Sequence, residues 1–140
     1  MSEPTNVPTV LFLCVANSAR SQMAEGLARA LAPPRGGHRF WSAGSEAGAL
    51  HPLAVAALSE VGVDISHQRA KGLPAIPLDQ VDTIVTLCAE EVCPVVPARV
   101  QRLHWPLADP ARVEGSPDER LAAFRAARDR LRELLPRLWA

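Results

Sequence analysis

The chain is 140 residues long, enough for one domain over residues 1–140 that builds its own core without metal or disulfide staples. Its 15 Lys and Arg residues balance 15 Asp and Glu residues, so no net field draws it to nucleic acid or an anionic membrane. No stretch approaches the roughly 20 apolar residues of a membrane span, and Met1 to Val7 carries neither a basic cluster nor a signal-length apolar run, which points to the cytoplasm.

Thr9 to Leu13 is a continuous apolar run, the pattern of a buried parallel strand. Ser21 to Ala32 reads as a helix with Met23, Leu27, Ala30 and Leu31 on one face, stopped by Pro33 and Pro34. A short strand over Arg39 to Ala43 ends at Gly44, and a helix over Pro52 to Val61 carries proline in its first turn and stops at Gly62. Thr83 to Leu87 and Val100 to His104 supply two more strands. Ser116, Pro117 and Glu119 make a capping box with proline at the first helical position, and Leu121, Phe124, Ala127, Leu131, Leu134, Leu135 and Leu138 continue it as one apolar stripe. Strands alternating with helices imply an α/β fold, a parallel sheet covered on both faces.

The chemistry concentrates where the first strand meets the first helix. Cys14, Asn17, Arg20 and Ser21 form a Cys-x-x-Asn-x-x-Arg-Ser string across that junction. Five residues between Cys14 and Arg20 suffice for a loop whose amides turn inward above the sulfur, and the helix adds its positive end to the same point. Val15, Ala16, Asn17, Ser18, Ala19 and Arg20 are therefore the expected oxyanion-binding residues. Asn17 tolerates positive φ and braces the loop, Arg20 grips two oxygens, Ser21 donates to the sulfur, and the same field favours a Cys14 thiolate. A buried, inert cysteine at a strand end is the plain alternative.

The run resembles the signature of the low-molecular-weight protein tyrosine phosphatase fold, and Arg20 to Gly26 resembles its thioredoxin-coupled arsenate reductase branch. Trp41 to Gly44, Val85 to Cys88, Cys93-Pro94, and His104-Trp105 with Asp109-Pro110 extend the likeness over most of the chain. The resemblance implies a flavodoxin-like three-layer fold, a four-stranded parallel sheet of order 2-1-3-4 flanked by helices with the oxyanion loop after strand 1. Val15-Ala16 stands where many relatives have Thr-Gly, Ala19 where many have a second loop cysteine, and only four residues separate Cys88 from Cys93. Some relatives hold potassium through an aspartate aligned with Lys71, the only lysine here. Its ammonium is expected in the ion's place near Asn17, Glu25 and Ser42, so no cofactor or metal is expected.

The resemblance implies catalytic roles for Cys14, Arg20, Ser21, Cys88, Cys93 and Asp109. Cys14 attacks arsenate, Asp109 protonates the departing oxygen, Cys88 attacks Cys14, and Cys93 moves the disulfide outward for reduction by thioredoxin. Ala89 to Val92 would be a helical turn able to unwind for the exchange. Arsenate and phosphate-like oxyanions and thioredoxin are the partners this implies, acting on a monomer. Competing readings are a phosphatase using Cys14, Arg20 and Asp109, a redox-sensing module, incidental thiols at Cys88 and Cys93, or a zinc site made by those two with His104. Against the phosphatase stand Ala111 and Arg112 after Asp109-Pro110, where such enzymes carry tyrosines; this chain has none. The remaining histidines are expected at caps or on the surface, and Arg120, Arg125, Arg128, Arg130, Arg132 and Arg137 on a solvated helix face.

Overall fold

The computed structural model describes residues 8–34, 37–89 and 100–139. Four strands, β1 (Thr9–Cys14), β2 (Arg39–Gly44), β3 (Thr83–Thr86) and β4 (Gln101–His104), form one sheet in the order β2-β1-β3-β4 with every pair parallel. This is the 2-1-3-4 order expected. β1 is buried along its whole length because it lies between two neighbours and under both faces. Its register pairs Phe12 with Ser42 and Val85, and Cys14 with Gly44.

Alternate residues of the strands feed two cores. Val10, Phe12, Phe40 and Val85 face three helices, α1 (Arg20–Leu31), α2 (Pro52–Ser59) and α3 (Pro117–Leu134), and meet Met23, Leu27, Leu58, Phe124 and Leu131. Each fully buried side chain of this size stabilises by roughly 1.5–3 kcal/mol relative to exposure. Leu11, Leu13, Ala43 and Ile84 point the other way, against Ile76 and Val81. Among the described residues that face is closed by 3₁₀ turns at Leu73–Ala75 and Leu78–Gln80. Pro74 and Pro77 explain why this segment makes short turns instead of a long helix.

Two local expectations change. On α1 the buried stripe is Met23, Ala24, Leu27 and Ala28, whereas Ala30 and Leu31 are exposed because the helix outruns the sheet there. α3 begins as predicted, the Glu119 amide donating to Ser116 Oγ at 3.1 Å and the Ser116 amide to Glu119 Oε1 at 3.1 Å. Arg128, however, leaves the solvated face: it is buried, donating from Nη1 to Ala57 O at 2.9 Å and to Glu60 Oε1 at 2.8 Å. Arg125 reaches the same carboxylate at 2.6 Å, so two arginines of α3 clamp the residue that ends α2. Their hydrogen bonds, Arg125 first and Arg128 second, lower the Glu60 carboxyl to about 2. No helix among the described residues is long and apolar enough to cross a membrane.

Candidate active site

Cys14 is the last residue of β1 and a buried free thiol. The chain turns there directly over β2, and a Cβ on Gly44 would stand 2.3 Å from Val15 O and 2.9 Å from the Asn17 amide. Only glycine lets the loop pass so close. The loop then turns its carbonyls outward: Val15 O accepts from the Glu46 amide, Ala16 O from Gly48 and Ser18 O from His51. The amides of Val15 to Ala19 take no partner among the described residues. α1 also starts without a side-chain cap, so its first amides and its positive end add to the same point.

Beneath the loop, polar side chains fix each proton. Asn17 sits at φ 51, as expected, and is fully buried. Its Oδ1 accepts from the Lys71 amide at 2.7 Å, which assigns Nδ2 to the bond it donates to Ser21 Oγ at 2.7 Å. Ser21 Oγ lies 2.8 Å from Cys14 Sγ. Because Ser21 accepts from Asn17, its own hydroxyl hydrogen can point at the sulfur. The Asn17 side chain therefore braces the loop from beneath, spent on Ser21, Gln22 and the Lys71 amide, and any contact of Asn17 with a ligand falls to its backbone amide. Lys71 meets Asn17 through its backbone. Its ammonium stands 3.6 Å from Glu25 Oε1, to which Ser42 donates at 2.5 Å, while Arg29 pairs with the other carboxylate oxygen.

A cavity of about 190 Å³ opens above the sulfur, lined by Cys14, Val15, Ala16, Ser18, Ala19, Arg20, Asp109 and Arg112. Arg20 is buried, and both Nη1 protons are directed at carbonyls, Leu107 O at 2.9 Å and Leu87 O at 3.3 Å. Those bonds turn the guanidinium so that Nη2 faces Asp109 Oδ2 at 3.8 Å. A ligand contact through Nη1 would break them. Asp109 is extended at ψ 111 and caps a 3₁₀ turn, Pro110–Arg112, with Oδ1 accepting from the Ala111 amide at 3.0 Å.

Cys88 follows β3 at the same sheet edge, buried and disulfide-bonded, one residue past the carbonyl that receives Arg20. It is not in the cavity wall. Cys93 and the turn expected over Ala89 to Val92 lie outside the described residues from position 90 onward. No cluster of three His, Cys, Asp or Glu side chains among the described residues is placed to hold a metal. His51 caps α2, its Nδ1 accepting from the Leu53 amide, and its pKa is lowered, by burial first and the Arg120 charge second.

Two residues escaped the sequence reading. Gln22, fully buried, donates to Asn17 O and to Arg69 O at 2.8 Å and so ties the loop to the segment carrying Lys71. Arg69 is 47 positions away, and no local pattern marks it. Arg112 had a signal: three residues past Asp109 in an Asp-Pro turn, a side chain returns to the same side.

A thiol at the C-terminal edge of a parallel sheet, under uncapped amides and beside a buried arginine, defines an α/β protein built to meet a small oxyanion. Residues 9–140 match the low molecular weight phosphotyrosine protein phosphatase family, and the chain belongs to it. An arsenate reductase of Bacillus subtilis is 44% identical over 124 residues, 87% of this chain and 88% of its own. A structure described as an arsenate reductase in the phosphate binding state superposes with TM-score 0.76 at 34% identity, covering 94% of this chain and 95% of its own. The thioredoxin-dependent arsenate reductase of Corynebacterium glutamicum gives TM-score 0.69 at 33% identity, over 96% of this chain and 63% of its own.

Proposed function

We propose that this protein reduces arsenate to arsenite through Cys14, Cys88 and Cys93, with thioredoxin in the cytoplasm as electron donor. The observation that carries the reading is Cys14 Sγ, 2.8 Å from the Ser21 hydroxyl, in the floor of a cavity shared with Arg20 and Asp109. The Cys14 thiolate attacks arsenic, an As–O bond breaks, and Asp109 protonates the oxygen that leaves as water. Cys88 then attacks the Cys14 sulfur. The S–As electron pair stays on arsenic, which leaves as arsenite, and a Cys14–Cys88 disulfide remains. Cys93 attacks Cys88, freeing the Cys14 thiolate, and the thioredoxin dithiol reduces the last disulfide.

Cys14 free and Cys88 disulfide-bonded is the redox state the cycle reaches before thioredoxin acts. The thioredoxin-dependent relative supports the choice of donor. Lys71 and Arg29 flanking Glu25 support the reading that the Lys71 ammonium takes the place of a potassium ion beneath the loop.

The test is NADPH oxidation coupled through thioredoxin reductase and thioredoxin, with and without arsenate. Oxidation should require arsenate and vanish in Cys88→Ser. Absence of oxidation, with aryl phosphate hydrolysis surviving Cys88→Ser, would make the protein a phosphatase instead.

A further inference from the structure

We propose that Arg112 is the rim cation of the cavity, which captures a free tetrahedral dianion and favours it over the corresponding ester. This deepens the oxyanion reading by naming the ligand class. The turn Pro110–Arg112 holds the residue in place, Asp109 capping its start twice: its Oδ1 accepts from the Ala111 amide and its O from the Arg112 amide at 3.1 Å. Arg112 is exposed and lines the cavity, and its side chain makes no ion pair or hydrogen bond among the described residues. The second arginine lining the cavity is tied into the fold. Arg20 spends Nη1 on Leu87 O and Leu107 O, whereas Arg112 is placed to meet a ligand.

Charge balance shows why a second cation is needed. Once the Cys14 thiolate forms for attack it cancels Arg20, and the helix end supplies only about half an elementary charge. Two negative charges on an entering dianion are then left largely unmatched. Arg112 adds a full positive charge at the mouth, which an incoming ion meets first. It would meet oxygens that the loop amides and Arg20, at the floor, do not reach. In an ester one such oxygen carries carbon in place of charge, and the organic group must pass the guanidinium, with no aromatic side chain in the wall to receive it.

Reduced protein carrying Cys88→Ser and Cys93→Ser, so that only Cys14 reacts, is alkylated with anionic iodoacetate and with neutral iodoacetamide. In Arg112→Ala the iodoacetate to iodoacetamide rate ratio should fall about twofold to fivefold, the upper range of an exposed charge contact, and Arg112→Lys should restore most of it. Inorganic phosphate should also lose more of its protection of Cys14 than phenyl phosphate does. In the three-cysteine protein, Arg112→Ala should raise the KM for arsenate more than it lowers kcat. An unchanged ratio, or equal loss of protection by phosphate and phenyl phosphate, overturns the proposal. The alkylation arm needs no arsenate turnover, so a wild-type protein inactive on arsenate but sensitive to Arg112 would sink the reductase and leave the rim cation standing.

Discussion

A carboxylate buried beneath an anion-binding loop would repel the ligand unless neutralised, and Glu25 has Arg29 on one oxygen and Lys71 and Ser42 on the other. The Lys71 side chain is only 25% exposed, so its charge is poorly screened from the carboxylate. Exchanging potassium for sodium at constant ionic strength should leave the wild-type rate unchanged, while Lys71→Met should make the rate respond to potassium. A clear potassium response in the wild type would refute the stand-in role. At this scale, sequence identified Cys14, Arg20 and Ser21 because one local string carries strand end, loop and helix start. It also marked Asn17 as a brace, though its position in the string gave no hint that the partners would be Ser21 and the Lys71 amide. Gln22 was silent because the partner that gives it its tie, Arg69, lies in a distant segment.

Helix α3 divides legible from illegible in the same way. Its start follows from Ser116 and Glu119 alone, since a capping box satisfies amides within one turn. The fate of Arg128 depends on where α2 ends, which a single helix cannot announce. The clamp on Glu60 carries a pH signature. A carboxyl lowered from 4.5 to about 2 in the folded protein stabilises the α2–α3 junction above its ordinary value, and that contribution disappears as pH falls toward 2. Glu60→Gln should therefore melt below the wild type at neutral pH, and the gap should close as both are titrated toward pH 2. High salt should narrow it as well, since Glu60 and Arg125 face solvent. A gap independent of pH would mean the clamp acts through packing alone.

The oxyanion cavity belongs to the whole molecule. β1 ends in Cys14, β2 in the Gly44 that admits the loop, and the residue after β3, Leu87, accepts from Arg20. The chain beyond β4 supplies Leu107 O and Asp109. This is the ligand edge of an open parallel sheet, and strand order decides that the four ends converge. Strand order could not be read from alternation of elements; it came from the family resemblance, and the pairing bears it out. Because no one element forms the cavity, an anion held there binds the folded state and not the unfolded chain. Phosphate at a hundred times its dissociation constant should add about 2.7 kcal/mol, a rise in melting temperature of roughly 5–10 °C for a chain of this size. Chloride at equal ionic strength serves as the control. Arg20→Ala should melt lower and lose the phosphate dependence together, because the same side chain joins β3 to the segment after β4 and faces the ligand. A phosphate shift that survives Arg20→Ala would place the anion elsewhere on the protein.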